Sequence, residues 1–346
     1  MSNDRNAPRS RAANAPRPGD LGAEQEWKVQ ESMQTTEPQA EAGPALTVGY
    51  IGLGAMGGPL AQWVCRRQKL VVLDRNPDAV RALTDQGATA APDGATLARQ
   101  CDVIVTCLPR SADVEQVLFG AGGVAEGLSP GKIVIDQTSG NPTDTRRLAA
   151  RLSELGVAML DAPVTGGVGA AIGGTVLVIV SGDAAAFRTC APVFGAMTGN
   201  IVHCSGPVGT AQAMKLINNA MSTGCRTGTF EALSLGRRLG LAPDTISEVL
   251  HAGIGWNRTV QASLPAMLRG EAANNFRMAL MLKDLDLALQ LGRHGMAPMP
   301  VTELVTGLLQ TTLSAFGEDA QLDQLADVIT AMAGVRMTDE QPKHAE

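Results

Sequence analysis

The stretch Thr47-Val-Gly-Tyr-Ile-Gly52-Leu-Gly54-Ala-Met-Gly57-Gly58-Pro59 decides the fold. An apolar run of strand character enters a glycine turn, and a helix start follows. Gly52 permits a tight turn, Gly54 lets backbone approach a pyrophosphate, and Gly57 allows a helix to pack closely on a strand. The helix that follows opens with free backbone N–H groups, which favour anions. Asp74 closes the next apolar run at the distance expected of an acid that accepts hydrogen bonds from an adenosine ribose. Gly52, Leu53, Gly54, Ala55, Met56, Gly57 and Asp74 are therefore the first candidate dinucleotide contacts. The charge of Asp74 repels a 2′-phosphate and favours NAD. The adjacent Arg75 would instead pair with such a phosphate, which keeps NADP as the alternative.

Outward from this turn the same texture continues. Short apolar runs at Leu46–Ile51, Leu70–Leu73, Val103–Cys107, Ile133–Ile135, Met159–Leu160 and Val176–Val180 alternate with helical stretches such as Pro59–Arg67 and Pro77–Gln86. That alternation predicts βαβ units and a parallel sheet covered on both faces. After His203 the strand signals stop. Gly209 to Gly240 reads as one long helix, and 243–251, 258–268, 277–294, 301–316 and 320–333 are helical in pattern. The expected architecture is an α/β Rossmann-type doubly wound sheet (residues 45–208) followed by an all-α C-terminal domain (209–346). A long interdomain helix joins them. Residues 1–44, rich in Pro, Ala, Arg, Glu and Gln, lack a hydrophobic period and read as a disordered tail. Arg5, Arg9, Arg11 and Arg17 also admit an organelle transit peptide, and Met33 an alternative start.

Composition narrows the function classes. With 45% hydrophobic and 18% charged residues the chain can build a sizeable core, so its 39 glycines must act locally. A net charge of −6 argues against nucleic-acid or membrane-surface partners. The six Cys and four His form no C-x-x-C or H-E-x-x-H, so no metal centre is expected, and the thiols read as reduced in a cytoplasmic protein. No apolar run approaches the roughly 20 residues that span a bilayer.

Three later segments carry chemistry. Asp161-Ala-Pro163-Val-Thr165-Gly166-Gly167-Val-Gly169-Ala-Ala-Ile-Gly173-Gly174-Thr175 is a loop whose successive N–H groups can wrap a carboxylate. In Gly206-Pro-Val-Gly209-Thr-Ala-Gln-Ala-Met-Lys215-Leu-Ile-Asn218-Asn219 the last three polar residues share one helix face. The third is Lys283-Asp284-Leu-Asp-Leu-Ala288. Alone, a mid-helix lysine or an asparagine pair is a solvated face and a glycine loop is a connection. Their joint occurrence behind a dinucleotide turn changes that.

Together, in this order and spacing, the segments resemble the β-hydroxyacid dehydrogenase family (3-hydroxyisobutyrate dehydrogenase and tartronate semialdehyde reductase type) over about residues 46–335. The resemblance implies an NAD(P)-dependent oxidoreductase acting on a small 3-hydroxy acid or its semialdehyde, and assembly as a homodimer or homotetramer. It implies Lys215 as general acid/base, a role that suits a lysine whose pKa is lowered by an apolar site. Met214, Leu216 and Ile217 beside it are expected to bury it. Asn218 would hold the lysine or the substrate oxygen, with Asn219 beside it. Thr165, Gly166 and Gly167 would bind the substrate carboxylate. Ser139 would line the junction of nicotinamide and substrate, Lys283 would close the far side, and Leu108 and Pro109 would contact the cofactor. Thr165 stands where the family more often has Ser, Gly140-Asn141 is a less usual sequel to Ser139, and Gly255-Trp256-Asn257-Arg258 is a candidate for substrate selection. An imine reductase of the same fold, or a non-catalytic dinucleotide-binding scaffold protein, are the alternatives; both are expected to lack Lys215.

Overall fold

The computed structural model describes residues 46–273 and 276–338. The expected tail over 1–44, with its transit-peptide and Met33 variants, lies outside the described residues. In chain order the elements are β1 (Thr47–Ile51), α1 (Gly57–Cys65), β2 (Lys69–Leu73), α2 (Pro77–Thr84), β3 (Thr89–Ala90), α3 (Gly94–Gln100), β4 (Val103–Thr106) and α4 (Ser111–Phe119). β5 (Ile133–Asp136), α5 (Pro142–Ser153), β6 (Ala158–Asp161), β7 (Val164–Thr165), α6 (Gly167–Ile172), β8 (Leu177–Gly182), α7 (Ala184–Met197) and β9 (Ile201–His203) follow. Helices then take over: α8 (Thr210–Arg238), α9 (Pro243–Ala252), a π-turn (Thr259–Ser263), α10 (Leu264–Leu268), α11 (Met278–His294), α12 (Pro300–Phe316) and α13 (Leu325–Met332).

The strands lie in the order β3-β2-β1-β4-β5-β6-β8-β7, with β9 also on β8. From β3 to β6 all pairs are parallel, and β8 returns antiparallel to β6. Because side chains alternate across a strand, an all-apolar strand must bury both faces. Val48, Tyr50, Val103, Val105, Ile133 and Ile135 face one side with Leu60 and Val64 of α1 and Phe194 of α7. Ile51, Ile104 and Val134 face the other with Leu97 of α3, Leu118 of α4 and Leu148 of α5. A Cβ at Gly49 would lie 2.2 Å from Leu97 Cδ2, so α3 sits directly on β1. The chain moves from β1 outward to β2 on one side and to β4 on the other. That reversal leaves a crevice at the carboxyl ends of β1 and β4, where such sheets bind ligands.

The helical portion has its own core, in which Phe230 of α8 meets Met281 and Leu285 of α11, Leu309 of α12 and Leu325 and Ile329 of α13. Arg226 of α8 is buried and pairs with Asp323 at 3.0 Å. No described helix is long and apolar enough to cross a membrane.

One expectation needs correction. Residues 161–175 do not form a single glycine loop: β7 and the six-residue helix α6 are cut out of it. The cause is tertiary. Trp63 of α1 donates its indole N–H to Ala171 O (3.1 Å) and Ile172 O (3.3 Å), capping carbonyls of a helix too short and glycine-rich to stand alone.

Candidate active site

The crevice is walled by the segments that leave β1, β2, β4 and β5. At the glycine turn, Gly52 adopts φ +95°, and a Cβ there would lie 2.3 Å from Cys107 O. A Cβ at Gly57 would lie 1.9 Å from Gly52 O, so no other residue fits. Gly54 instead faces open space, the room that a pyrophosphate against the backbone requires. α1 begins without a side-chain cap and without an acid in its first turn, leaving its amides to an outside anion. Leu53, Ala55 and Met56 complete this cradle, and the residues present fit a dinucleotide.

Asp74 is half-buried, and its carboxylate accepts from Leu53 N–H at 2.6 Å and from Asn76 N–H at 2.7 Å. One oxygen therefore ties the glycine turn to the end of β2, and each oxygen keeps a further lone pair for a ribose hydroxyl. Arg75 is exposed. Leu108 and Pro109 leave β4, where Leu108 N–H donates to Thr138 Oγ1 at 3.0 Å and Pro109 is exposed.

The turn after β5 carries Ser139 and is held on all sides. Thr138 N–H donates to Asp136 Oδ1 (3.0 Å) and Asn141 N–H to Ser111 Oγ (2.9 Å). Lys283 Nζ donates to Ser139 O. Asp136 is buried, and burial raises its carboxyl to about 6 against the opposing hydrogen bonds from Thr138 and Thr106. Asp161, at the end of β6, is buried too; it accepts from Ser181 Oγ (2.5 Å) and from Gln212 N–H (2.9 Å) in the first turn of α8.

Lys215 sits on α8 with 7% of its surface exposed. Burial pushes its pKa down to about 8; the nearby Asp284 carboxylate opposes that fall and Lys283 adds to it. Of Met214, Leu216 and Ile217, expected to cover it, Leu216 is buried against Ala288 of α11, whereas Met214 and Ile217 are 42% and 56% exposed. Residues one and two places along a helix point away from one another, so they cannot shield it. The cover comes from α11, where the buried Asp284 pairs with Lys283 at 2.9 Å and accepts from Asn219 Nδ2 at 2.7 Å. Asn219 is buried, with one amide N–H committed to that carboxylate. Asn218, half-buried, reaches from α8 to Thr165 Oγ1 at 3.3 Å. Thr165 ends β7, and Gly166 and Gly167 enter α6 at φ +132° and +78°.

The structure thus joins Lys215, Asn219, Lys283 and Ser139 into one cluster and Asn218 with Thr165. It gives no such role to 255–258. Asn257 caps the π-turn by accepting from Thr259 N–H (2.9 Å) and touches Thr229, while Trp256 and Arg258 are exposed. Asp284, Gln212 and Trp63 were given no part by sequence reasoning. The available signal for Gln212 is its place three residues before Lys215 on the same helix face.

Residues 47–206 match the family described as the NAD binding domain of 6-phosphogluconate dehydrogenase. Residues 209–329 match the one described as NAD-binding of NADP-dependent 3-hydroxyisobutyrate dehydrogenase. The chain is 34% identical to 2-(hydroxymethyl)glutarate dehydrogenase of Eubacterium barkeri, over 77% of this chain and 89% of that protein. It is 36% identical to the mitochondrial 3-hydroxyisobutyrate dehydrogenase of Homo sapiens, over 70% and 74%. A solved 3-hydroxyisobutyrate dehydrogenase of Mycobacterium tuberculosis with L-serine superposes with TM-score 0.74 at 28% identity, over 82% of this chain and 99% of that one.

Proposed function

Because the chain belongs to the β-hydroxyacid (3-hydroxyisobutyrate) dehydrogenase family, we propose that Lys215 is the general acid/base of an NAD(P)-dependent oxidation of a small 3-hydroxy acid to its semialdehyde. Relatives named for hydroxymethylglutarate, hydroxyisobutyrate and serine have substrates with a primary 3-hydroxyl and a carboxylate, which supports that substrate class. The observation that carries the reading is Lys215 itself: buried, lowered to about 8, and beside the Asp284–Lys283 pair that reaches Ser139.

The bound dinucleotide would supply the hydride acceptor at its nicotinamide. Residues 52–57 would cradle its pyrophosphate, Asp74 would take the ribose hydroxyls, and Leu108, Pro109, Ser139 and Lys283 would flank the nicotinamide end. The ribose contact of Asp74 favours NAD over NADP. Thr165, Gly166 and Gly167 would hold the substrate carboxylate, with Asn218 steadying the Thr165 hydroxyl. Neutral Lys215 Nζ accepts the 3-hydroxyl proton during oxidation, and the ammonium returns it to the carbonyl oxygen during reduction. Asp284 and Asn219 keep the lysine's surroundings fixed. We assign residues 45–208 to cofactor binding and 209–346 to the lysine helix and assembly. Met214, Ile217 and Met221 form an exposed apolar stripe on α8, which supports a homodimer or homotetramer.

A panel of 3-hydroxy acids and semialdehydes, assayed with NAD and with NADP, tests the substrate class and the cofactor preference. Lys215→Ala should lower turnover by about two to four orders of magnitude while sparing cofactor binding. Since the base must be neutral, oxidation should rise with pH through about 8 and then level, and reduction should fall over the same range. A Lys215→Ala enzyme with full turnover ends the assignment.

A further inference from the structure

The turn that carries Ser139 is held from α8 by one buried side chain. Gln212 is fully buried. Its Nε2 donates to Thr138 O at 2.6 Å, and its Oε1 accepts from Gly140 N–H at 2.9 Å. One primary amide thus satisfies the carbonyl before Ser139 and the N–H after it. It offers a donor and an acceptor in a fixed fork, as a neighbouring strand's backbone would. The backbone N–H of Gln212 is itself tied to Asp161 Oδ2 at 2.9 Å, so the anchor is fixed at its base. Lys215 follows three residues later, one helical turn along the same buried face.

We propose that Gln212 is a positioning residue that sets Ser139 against Lys215, so that the proton-transfer group and the turn lining the substrate are held in register by one helix. The inference rests on the function proposed above. The spacing between the two groups is then set by a single turn of α8, not by the slack of a loop. Gln212 touches no reacting atom; it acts by preorganisation, where displacements of about 1 Å are costly.

Glutamate and methionine at this position separate positioning from packing. Both keep the approximate volume. An ionised Glu cannot donate to Thr138 O, whereas a protonated Glu can donate to it and accept from Gly140 N–H. Burial beside Asp136 and Asp161 raises the pKa of such a carboxyl, while Lys215 on α8 and Lys283 on α11 oppose the rise. Methionine restores neither bond at any pH.

The experiment measures reduction of a semialdehyde by wild type, Gln212→Glu and Gln212→Met from pH 5.5 to 9, with cofactor affinity and hydrogen exchange of 138–141 followed alongside. The expected result for Gln212→Met is a kcat about 10- to 100-fold lower at every pH, with cofactor affinity within about twofold. Gln212→Glu should also be impaired at high pH, where its carboxylate faces Thr138 O, and recover relative to wild type as pH falls. The titration of Asp136 and of Lys215 is shared with wild type by the uncharged Gln212→Met. In Gln212→Glu the ionised carboxylate raises the Lys215 pKa, which favours reduction at high pH and so works against the expected recovery at low pH. In Gln212→Met the Gly140 amide should lose protection while the middle of α8 keeps its own; in Gln212→Glu the carboxylate still accepts from Gly140 N–H, so that amide should stay protected. The proposal is overturned if Gln212→Met retains kcat, if the Glu-to-wild-type ratio is flat with pH, or if Gly140 stays protected in Gln212→Met. A wild type inert toward every 3-hydroxy acid and semialdehyde would instead remove the proposed function. The Gly140 exchange result would still decide whether Gln212 holds the turn.

Discussion

Two glycine-rich segments of similar composition behave differently. In the turn at 52–57 the glycines are required by backbone packed on backbone, since a Cβ at Gly52 or Gly57 would overlap a carbonyl oxygen at 2.3 or 1.9 Å. At 166–174 the positive φ of Gly166, Gly167 and Gly174 asks for glycine, but a Cβ would first meet side chains, Ala170 at 2.8 Å from Gly166 and the Trp63 ring at 3.0 Å from Gly174, and on Gly167 or Gly169 nothing within 4 Å. The first segment is a rigid mould for a ligand that does not vary. The second is a short helix held by one indole, beside the residues proposed to hold the substrate carboxylate. Glycine content alone does not distinguish a mould from an adjustable wall; the surroundings do.

The comparison breaks most easily at Gly57. An added methyl cannot fit between Gly52 O and Cys107 Cβ, and overpacking of this kind costs about 1–3 kcal/mol. Gly57→Ala is expected to weaken cofactor binding at least about tenfold, read by nicotinamide fluorescence titration, and to lower Tm. Wild-type affinity in this variant would mean that the turn is not a mould.

Trp63→Phe sharpens the comparison from the other side. The ring packing remains, but Ala171 O and Ile172 O lose their donor, worth about 0.5–1.5 kcal/mol. The substrate KM should rise about two- to tenfold, with cofactor affinity unchanged, because only the far end of α1 is touched. Equal losses in substrate and cofactor binding would show that the indole holds the whole nucleotide portion together.

The same contrast explains what could be read without coordinates. The mould was legible because its logic is local: strand, glycines and helix start are contiguous, and Asp74 closes the next strand. Lys215 was legible as a motif, but its burial was assigned to Met214, Leu216 and Ile217, of which only Leu216 is itself buried. The real cover, Asp284 through Asn219, bridges 65 residues, and Gln212 bridges 72 to reach Gly140. Trp63 reaches Ala171 across 108 residues, so the composition of 161–175 suggested a loop where tertiary contact makes a helix. Pairings at that range leave no periodic trace in one sequence.

The smallest expected effect is the most discriminating for the second segment. Gly169 lies inside α6, is exposed, and has no positive φ, so alanine there meets neither clash nor strain. Alanine also restricts the unfolded chain and favours helix by about 0.5–1 kcal/mol. Gly169→Ala should therefore slow hydrogen exchange within 167–172 and raise Tm by a degree or two at most, about what such a gain gives in a chain of this size. Substrate KM should stay within about twofold, because the new methyl points to solvent. If KM rises for branched 3-hydroxy acids alone, the space over Gly169 belongs to the substrate, and the glycine is kept for room. If neither KM nor exchange moves, the indole of Trp63 already holds α6 fully, and the wall is as rigid as the mould.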